Sequence, residues 1–202
     1  MTLIDNDDIE MCIKKFLDQW NDDHINRLHF HFSGHGFYNQ TVDVQRNEFD
    51  EVDSAKSTTP IGECVVGNNG RDGLCSILQI QYLLSRIKAE KITITLDCCR
   101  SLDRELGKTR ERVKLVPMPK IDKNNWLRIA TIQGSCKTLP AYDINSFTKE
   151  LYIVLNQHNG RILIEKMDEI VNNSWYIKGI NQLCQMEIIK VGNNWKDLYW
   201  PI

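Results

Sequence analysis

Residues 91–97 are predicted to form a β-strand that leads into reactive side chains, because the hydrophobicity of residues 91–99 alternates with a period of two. One face of this strand is wholly apolar and belongs in a core; its members are Ile92, Ile94, Leu96 and Cys98. The opposite face carries two threonines, then Asp97 and Cys99. The alternation therefore assigns Cys98 to packing and presents Cys99 for chemistry where the strand ends.

An earlier strand leads to a histidine. Residues 27–32 alternate between large apolar side chains and polar ones, and a Ser-Gly turn then leads to His35. A nucleophilic cysteine requires a partner that takes up and returns protons, and imidazole is suited to this task. We therefore predict that His35 and Cys99 form a catalytic dyad.

Helical and strand patterns alternate along the chain and predict an α/β fold. The predicted helices lie at 5–20, 74–87, 147–159 and 161–171; the predicted strands lie at 27–32, 91–97, 126–132 and 185–191, with a short strand or hairpin arm at 64–66. This order favours an open, mostly parallel sheet with helices on both faces. Reactive groups gather at the carboxyl ends of such strands. His35 and Cys99 both follow such an end, so we expect them at one rim of the sheet.

Composition narrows the class of protein. The 202 residues suit a single domain over 1–202, and the net charge of −2 provides no bulk attraction to nucleic acid or to an anionic membrane. No apolar run reaches the roughly 20 residues that cross a bilayer, and the first residues lack the pattern of a signal peptide. Seven cysteines without CxxC spacing favour free thiols in a reducing compartment, so we expect a cytoplasmic protein.

Two motifs carry a resemblance to a known family. Residues 32–36, Phe-Ser-Gly-His-Gly, resemble the histidine motif of the caspase-like cysteine peptidases, and residues 96–101, Leu-Asp-Cys-Cys-Arg-Ser, resemble their cysteine motif. Residues 129–134 resemble the first strand of the family's small subunit, and the likeness spans roughly residues 5–190. It implies the caspase-like (caspase-hemoglobinase) three-layer sandwich, with a mostly parallel sheet and helices on both faces.

The resemblance also divides the chain. It implies a large-subunit-like part over 1–101, a basic linker over 102–125 and a small-subunit-like part over 126–202. The family's first strand should precede the first helix, and we expect it to be absent from this chain. Family members often pair through their last strand, so residues 185–191 are the predicted edge of a homodimer.

The residue two before the predicted nucleophile points to a branch of the family. Asp97 resembles the acidic residue of the paracaspases and metacaspases, which cleave after arginine or lysine, and Arg100 favours the paracaspases. The physics agrees, because a carboxylate on the same face as the thiol attracts a cationic P1 side chain. The expected activity is that of a thiol protease acting on protein or peptide substrates.

By resemblance, each site residue receives a role. Cys99 is the nucleophile, His35 the general acid, and Asp97 lines the S1 subsite; the backbone amides of Gly36 and Cys99 form the oxyanion hole. An arginine-preferring enzyme is expected to cut itself in its basic linker, after Arg104, Arg110 or Arg112. We predict no cofactor and no metal, and the calcium dependence known in metacaspases cannot be read from the acidic run at 43–53.

Other interpretations stay open at this point. The whole chain is alternatively a catalytically inactive caspase-like module that scaffolds or regulates a partner. Cys98 is an alternative nucleophile. The spacing of His29, His31 and His35 has the look of a zinc site, although no fourth ligand is evident. The acidic run at 43–53 is either a solvated loop or a cation site.

Overall fold

A computed structural model describes residues 9–20, 24–39, 62–66, 74–99, 121–135, 146–188 and 194–200. The helices are α1 (Ile9–Trp20), α2 (Ile77–Ser85), α3 (Lys123–Trp126), α4 (Phe147–Gln157) and α5 (Met167–Ile177), with a 3-10 helix at Ile164–Lys166. The strands are β1 (Ile25–Ser33), β2 (His35–Asn39), β3 (Gly62–Val66), β4 (Leu74–Ser76), β5 (Ala89–Asp97), β6 (Ile129–Gln133), β7 (Ile162–Leu163), β8 (Gln185–Ile188) and β9 (Tyr199–Trp200).

The central sheet has the strand order β1-β5-β6-β8. The strands β1, β5 and β6 run parallel, and β8 is antiparallel to β6. The predicted α/β architecture with a mostly parallel sheet is confirmed. Among the described strands β8 lies at one edge of this sheet, while residues 189–191 of the predicted dimer edge fall outside the described part of the chain. The dimer through this edge stays a prediction.

Helices cover both faces of the sheet, as predicted. On one face α1 and α2 pack against Ile92, Ile94 and Leu96, all with no exposed surface. On the other face α4 and α5 pack against Ala130 and Ile132. Each large side chain that is fully removed from water contributes roughly 2 kcal/mol to stability, so these two cores hold the three layers together.

The helix boundaries follow local capping signals. The Oγ atom of Ser76 accepts a hydrogen bond from the backbone nitrogen of Gln79 at 3.0 Å and begins α2. The Oγ atom of Ser146 accepts a bond from the Lys149 nitrogen at 3.2 Å and begins α4. Serine at these positions satisfies a backbone N–H that has no partner within the helix. Because Ser76 is the cap, α2 starts at Ile77 rather than at 74, and residues 74–76 form β4 instead.

The predicted strand over 126–132 is wrong at its start. Trp126 ends α3, and β6 begins only at Ile129. The Oδ1 atom of Asp122 accepts a bond from the Asn125 nitrogen at 3.0 Å, which caps α3. The guanidinium of Arg128 then holds the following turn by donating to the carbonyl oxygens of Ser85, Ile87 and Ala89. Residues 123–125 of the predicted linker therefore belong to a helix, and residues 102–120 lie outside the described part.

The predicted helix over 161–171 is also displaced. Residues 162–163 form β7, which pairs with β9 near the carboxyl end of the described chain, and α5 runs from Met167 to Ile177. The Ile164 nitrogen donates to the carbonyl oxygen of Leu198 at 2.9 Å. Because residues 162–163 pair with β9, they adopt an extended conformation, which the local apolar spacing did not predict.

A small second sheet follows the histidine motif. It has the order β2-β3-β4, antiparallel throughout, and it contains the short strand predicted at 64–66. His35 is the first residue of β2 and lies opposite Val66. The chain that leaves the central sheet at β1 is therefore held in this ladder immediately after the turn.

No helix in the described part of the chain is both long enough and apolar enough to cross a membrane.

Candidate active site

The two motifs meet at the carboxyl ends of neighbouring parallel strands. In the register of β1 and β5, Ser33 lies opposite Asp97. The backbone nitrogen of Gly34 donates a hydrogen bond to the carbonyl oxygen of Asp97 at 3.0 Å. Parallel pairing thus places the turn before His35 beside the turn that carries Cys99, although more than sixty residues separate them in the chain.

Gly36 brings the backbones of the two motifs into close contact. A Cβ atom built on Gly36 would lie 2.8 Å from the Sγ atom of Cys98 and 2.9 Å from the carbonyl oxygen of Cys99. It would also lie 3.0 Å from the carbonyl oxygen of Cys64 in β3. Only glycine fits between these atoms, because a methyl group cannot approach so closely. The residue after His35 is therefore packed directly on the two cysteines.

The two cysteines differ in exposure. Cys98 is 3% exposed and packs in the core beneath α1 and α2, which confirms its predicted packing role. Its carbonyl oxygen accepts a hydrogen bond from the buried hydroxyl of Ser135 at 3.0 Å. Cys99 is half-buried, and His35 is exposed at the same rim. The alternation of side chains in β5 therefore continues past its last residue, so that Cys98 points into the core and Cys99 stays within reach of solvent.

Asp97 is held by the first turn of α4. It is 6% exposed, and its Oδ1 atom accepts a hydrogen bond from the Phe147 nitrogen at 3.2 Å. Its Oδ2 atom accepts from the backbone nitrogen of Thr148 at 2.9 Å and from the Thr148 hydroxyl at 2.6 Å. A carboxylate is favourable at this position because the amino-terminal end of a helix carries partial positive charge. Asp97 thus joins the cysteine motif to the second core.

Two further histidines lie on the same face of the sheet as Asp97. The Nδ1 atom of His31 is 2.8 Å from the Thr95 hydroxyl, and its Nε2 atom is 3.3 Å from the Thr148 hydroxyl. The Nε2 atom of His29 is 3.3 Å from the Thr95 hydroxyl. The sequence places His29 and His31 on one strand face, but only the register of β1 against β5 reveals their partners.

Burial keeps both of these imidazoles neutral. Desolvation and, to a smaller extent, the neighbouring His31 lower the pKa of His29 from its usual 6.5 to about 4, against a hydrogen bond with the Thr93 backbone that raises it. Desolvation also lowers the pKa of His31, against the opposing attraction of Asp97. A neutral imidazole has one N–H donor and one bare nitrogen, so each of these rings accepts a hydrogen bond at one nitrogen and donates one from the other.

The described residues include no group of three or more histidine, cysteine, aspartate or glutamate side chains that could hold a metal ion. His29 and His31 are engaged with Thr95, and their rings are stacked with centroids 6.4 Å apart. The remaining positions singled out in the sequence lie outside the described part: Arg100, Arg104, Arg110, Arg112 and the acidic run at 43–53.

Comparison with known proteins identifies the fold and no activity. No family model matches the chain, and no curated protein matches it. The structure is similar to the crystal structure of protein GSU0716 from Geobacter sulfurreducens, with a TM-score of 0.53 and 13% sequence identity. The match covers 93% of this chain and 76% of that chain. At such low identity the similarity shows a shared fold alone.

Proposed function

We propose that this protein is a caspase-like cysteine endopeptidase that cleaves peptide bonds after arginine or lysine. The observation that carries the proposal is the packing of Gly36 on Cys98 and Cys99, because it holds the histidine turn and the cysteine turn together. The order of strands and motifs supports the caspase-like three-layer fold. The buried carboxylate of Asp97 beside the cysteines supports the preference for a cationic P1 residue.

In the proposed reaction Cys99 passes its proton to His35 and attacks as the thiolate. Its Sγ atom forms a bond to the scissile carbonyl carbon, and the oxyanion receives hydrogen bonds from the amides of Gly36 and Cys99. The C–N bond then breaks, and His35 gives a proton to the departing amine. Water then attacks the thioester carbon while the neutral His35 takes up one of its protons. The C–S bond breaks, the new carboxyl group is released, and His35 returns the proton to the Cys99 sulfur.

Hydrolysis of matched peptides tests this proposal. The wild type is expected to cleave a fluorogenic arginyl or lysyl peptide, and to leave the aspartyl analogue intact. Cys99→Ala and His35→Ala are each expected to reduce kcat/KM by about 1000-fold or more, since nucleophile and acid act as a unit. Cys184→Ala, a buried cysteine of the second core, is the matched control and is expected to retain activity.

Covalent labelling distinguishes the two adjacent cysteines. An arginyl chloromethyl ketone is expected to alkylate Cys99, as read by peptide mass spectrometry, and to leave Cys98 unmodified because that thiol is 3% exposed. Alkylation of Cys98 would contradict the assignment of the nucleophile. Equal cleavage by wild type and Cys99→Ala would remove the proposed activity.

A catalytically inactive caspase-like module that binds a partner is the second candidate. It is favoured by one observation, that both carboxylate oxygens of Asp97 already accept hydrogen bonds from the first turn of α4. An inactive module would neither hydrolyse the arginyl peptide nor react with the chloromethyl ketone. The same two measurements therefore separate the candidates.

A further inference from the structure

A continuous series of hydrogen bonds crosses one face of the sheet from the carboxyl-terminal strand β9 to Asp97. The Trp200 indole nitrogen donates to the Nδ1 atom of His29 at 2.9 Å. The series continues through the contacts His29–Thr95 at 3.3 Å, Thr95–His31 at 2.8 Å, His31–Thr148 at 3.3 Å and Thr148–Asp97 at 2.6 Å. Its members come from β9, β1, β5 and α4, so it ties together elements from both halves of the chain.

The first two links have their direction set by Trp200. An indole N–H donates and cannot accept, so the Nδ1 atom of His29 must accept. A neutral His29 then carries its proton on Nε2 and donates it to the Thr95 hydroxyl oxygen. From this end, the Thr95 proton has two acceptors within reach, the Nδ1 atom of His31 at 2.8 Å and the carbonyl oxygen of Phe30 at 3.5 Å, and the shorter contact is to His31.

The opposite end requires the same direction. An ionised Asp97 accepts and cannot donate, so the Thr148 hydroxyl donates to it and accepts from the Nε2–H of His31. The bare Nδ1 of His31 then accepts the proton of Thr95. The two ends therefore agree at Thr95, and both imidazoles carry their proton on Nε2.

We propose that this chain of hydrogen bonds, which starts at Trp200, positions the Asp97 carboxylate for selection of the P1 residue. The inference rests on the proposed function, and it makes Thr148, His31 and Trp200 positioning residues. Without the indole N–H, His29 is free to move its proton to Nδ1 and accept from Thr95. The donor-to-acceptor direction of the hydrogen bonds can then reverse, and the Thr148 hydroxyl turns its proton from Asp97 toward His31.

Two readouts test the proposal. Nitrogen-15 NMR of the imidazoles is expected to find Nε2–H tautomers for both His29 and His31 in the wild type. Trp200→Phe keeps the ring and removes the donor, and it is expected to shift both tautomers toward Nδ1–H. Tyr199→Phe, on the same strand with an exposed ring, is the matched control and is expected to leave both unchanged.

The second readout is the ratio of kcat/KM for an arginyl peptide to that for its citrulline analogue, which is neutral and similar in shape. We expect this ratio to fall about fivefold in Trp200→Phe and about tenfold in Thr148→Val, as for loss of one hydrogen bond to a charged group. Thr148→Ser keeps the hydroxyl and is expected to restore the ratio. A purely structural role would lower kcat/KM for both peptides equally.

The outcomes are separable. An Nδ1–H tautomer on either histidine in the wild type would contradict the proposed series of hydrogen bonds itself. Tautomers as expected, with an unchanged ratio in both Trp200→Phe and Thr148→Val, would overturn the positioning role. If the wild type cleaves no arginyl peptide, the proposed function fails, and the role in P1 selection fails with it. The two histidine tautomers still show, independently of activity, whether the series of hydrogen bonds is present.

Discussion

The carboxylate of Asp97 accepts hydrogen bonds from both the backbone nitrogen and the hydroxyl of Thr148, at 2.9 and 2.6 Å. This contact joins the carboxyl end of β5, where the reactive cysteine follows, to the amino-terminal end of α4. One residue thereby caps a helix and stands beside the proposed nucleophile. Substitutions at Asp97 should therefore change stability as well as any activity.

Replacing Asp97 by alanine is expected to lower the free energy of unfolding by about 2–3 kcal/mol, because it leaves the buried N–H of Phe147 without an acceptor. Urea denaturation measures this loss. Asp122→Ala removes the same kind of cap from the exposed end of α3 and is expected to cost only about 1 kcal/mol. Equal losses in the two variants would contradict the importance of the Asp97 contact for α4.

Gly36→Ala is expected to disrupt the site. The added methyl group meets the Sγ atom of Cys98 and two backbone carbonyl oxygens at 3.0 Å or less, so the turns must move apart at a cost of about 2 kcal/mol. Denaturation and the arginyl-peptide assay should both report the change. Gly34→Ala is the matched control, because the atoms nearest to its methyl group, from 2.9 Å, belong to the ring of Phe32, a side chain that can turn away, and not to backbone. Full activity in Gly36→Ala would argue against close packing of the two motifs.

Stability is expected to fall as the pH decreases from about 6.5 toward 4. In this range the unfolded chain protonates His29, whereas burial holds the folded pKa near 4, so the unfolded state binds more protons. The lowered pKa of His31 acts in the same direction. The loss in the free energy of unfolding that is attributable to His29 reaches about 3 kcal/mol near pH 4. Above the unfolded pKa of about 6.5 there is no such loss.

Urea denaturation at several pH values measures this dependence. His29→Gln is expected to flatten the profile relative to the wild type between pH 6.5 and 4. His158→Gln, which replaces an exposed histidine at the end of α4, is expected to leave it unchanged. Parallel profiles for wild type and His29→Gln would show that His29 is not held neutral in the folded protein.

An ion pair between a buried carboxylate and a partly exposed lysine fastens α4 to the residue that follows α5. Glu150 is 4% exposed, and its two carboxylate oxygens lie 2.7 and 2.8 Å from the Nζ atom of Lys178. Lys178→Met is expected to lower the free energy of unfolding by about 1 kcal/mol, because it leaves that buried carboxylate without its cation, while the exposure of the lysine limits the loss. Lys166→Met, which breaks an exposed pair with Glu169, is the control and is expected to have no measurable effect on urea denaturation.

Local pattern was sufficient for the elements that are governed by local physics. The alternation in residues 91–99 correctly predicted that Cys98 is buried, and the apolar spacing after residue 147 correctly predicted where α4 begins, because side-chain parity and helix periodicity depend on near neighbours. The errors at 126–128 and at 161–166 have a different origin. At 126–128 a short helix capped by Asp122 ends, and Arg128 reaches the carbonyl oxygen of Ser85 at the end of α2. At 162–163 β9 pairs with β7, so a distant partner overrides the local preference.

The sequence by itself determined that a histidine and a cysteine each follow a strand, since the residues and their spacing are local properties of the chain. Only the tertiary structure decided that these two turns touch through Gly36, and that Asp97 turns its carboxylate into α4. It also aligned Trp200, His29, Thr95 and His31 in one series of hydrogen bonds. The physical reason is that strand register and layer packing join residues whose separation along the chain carries no information about contact.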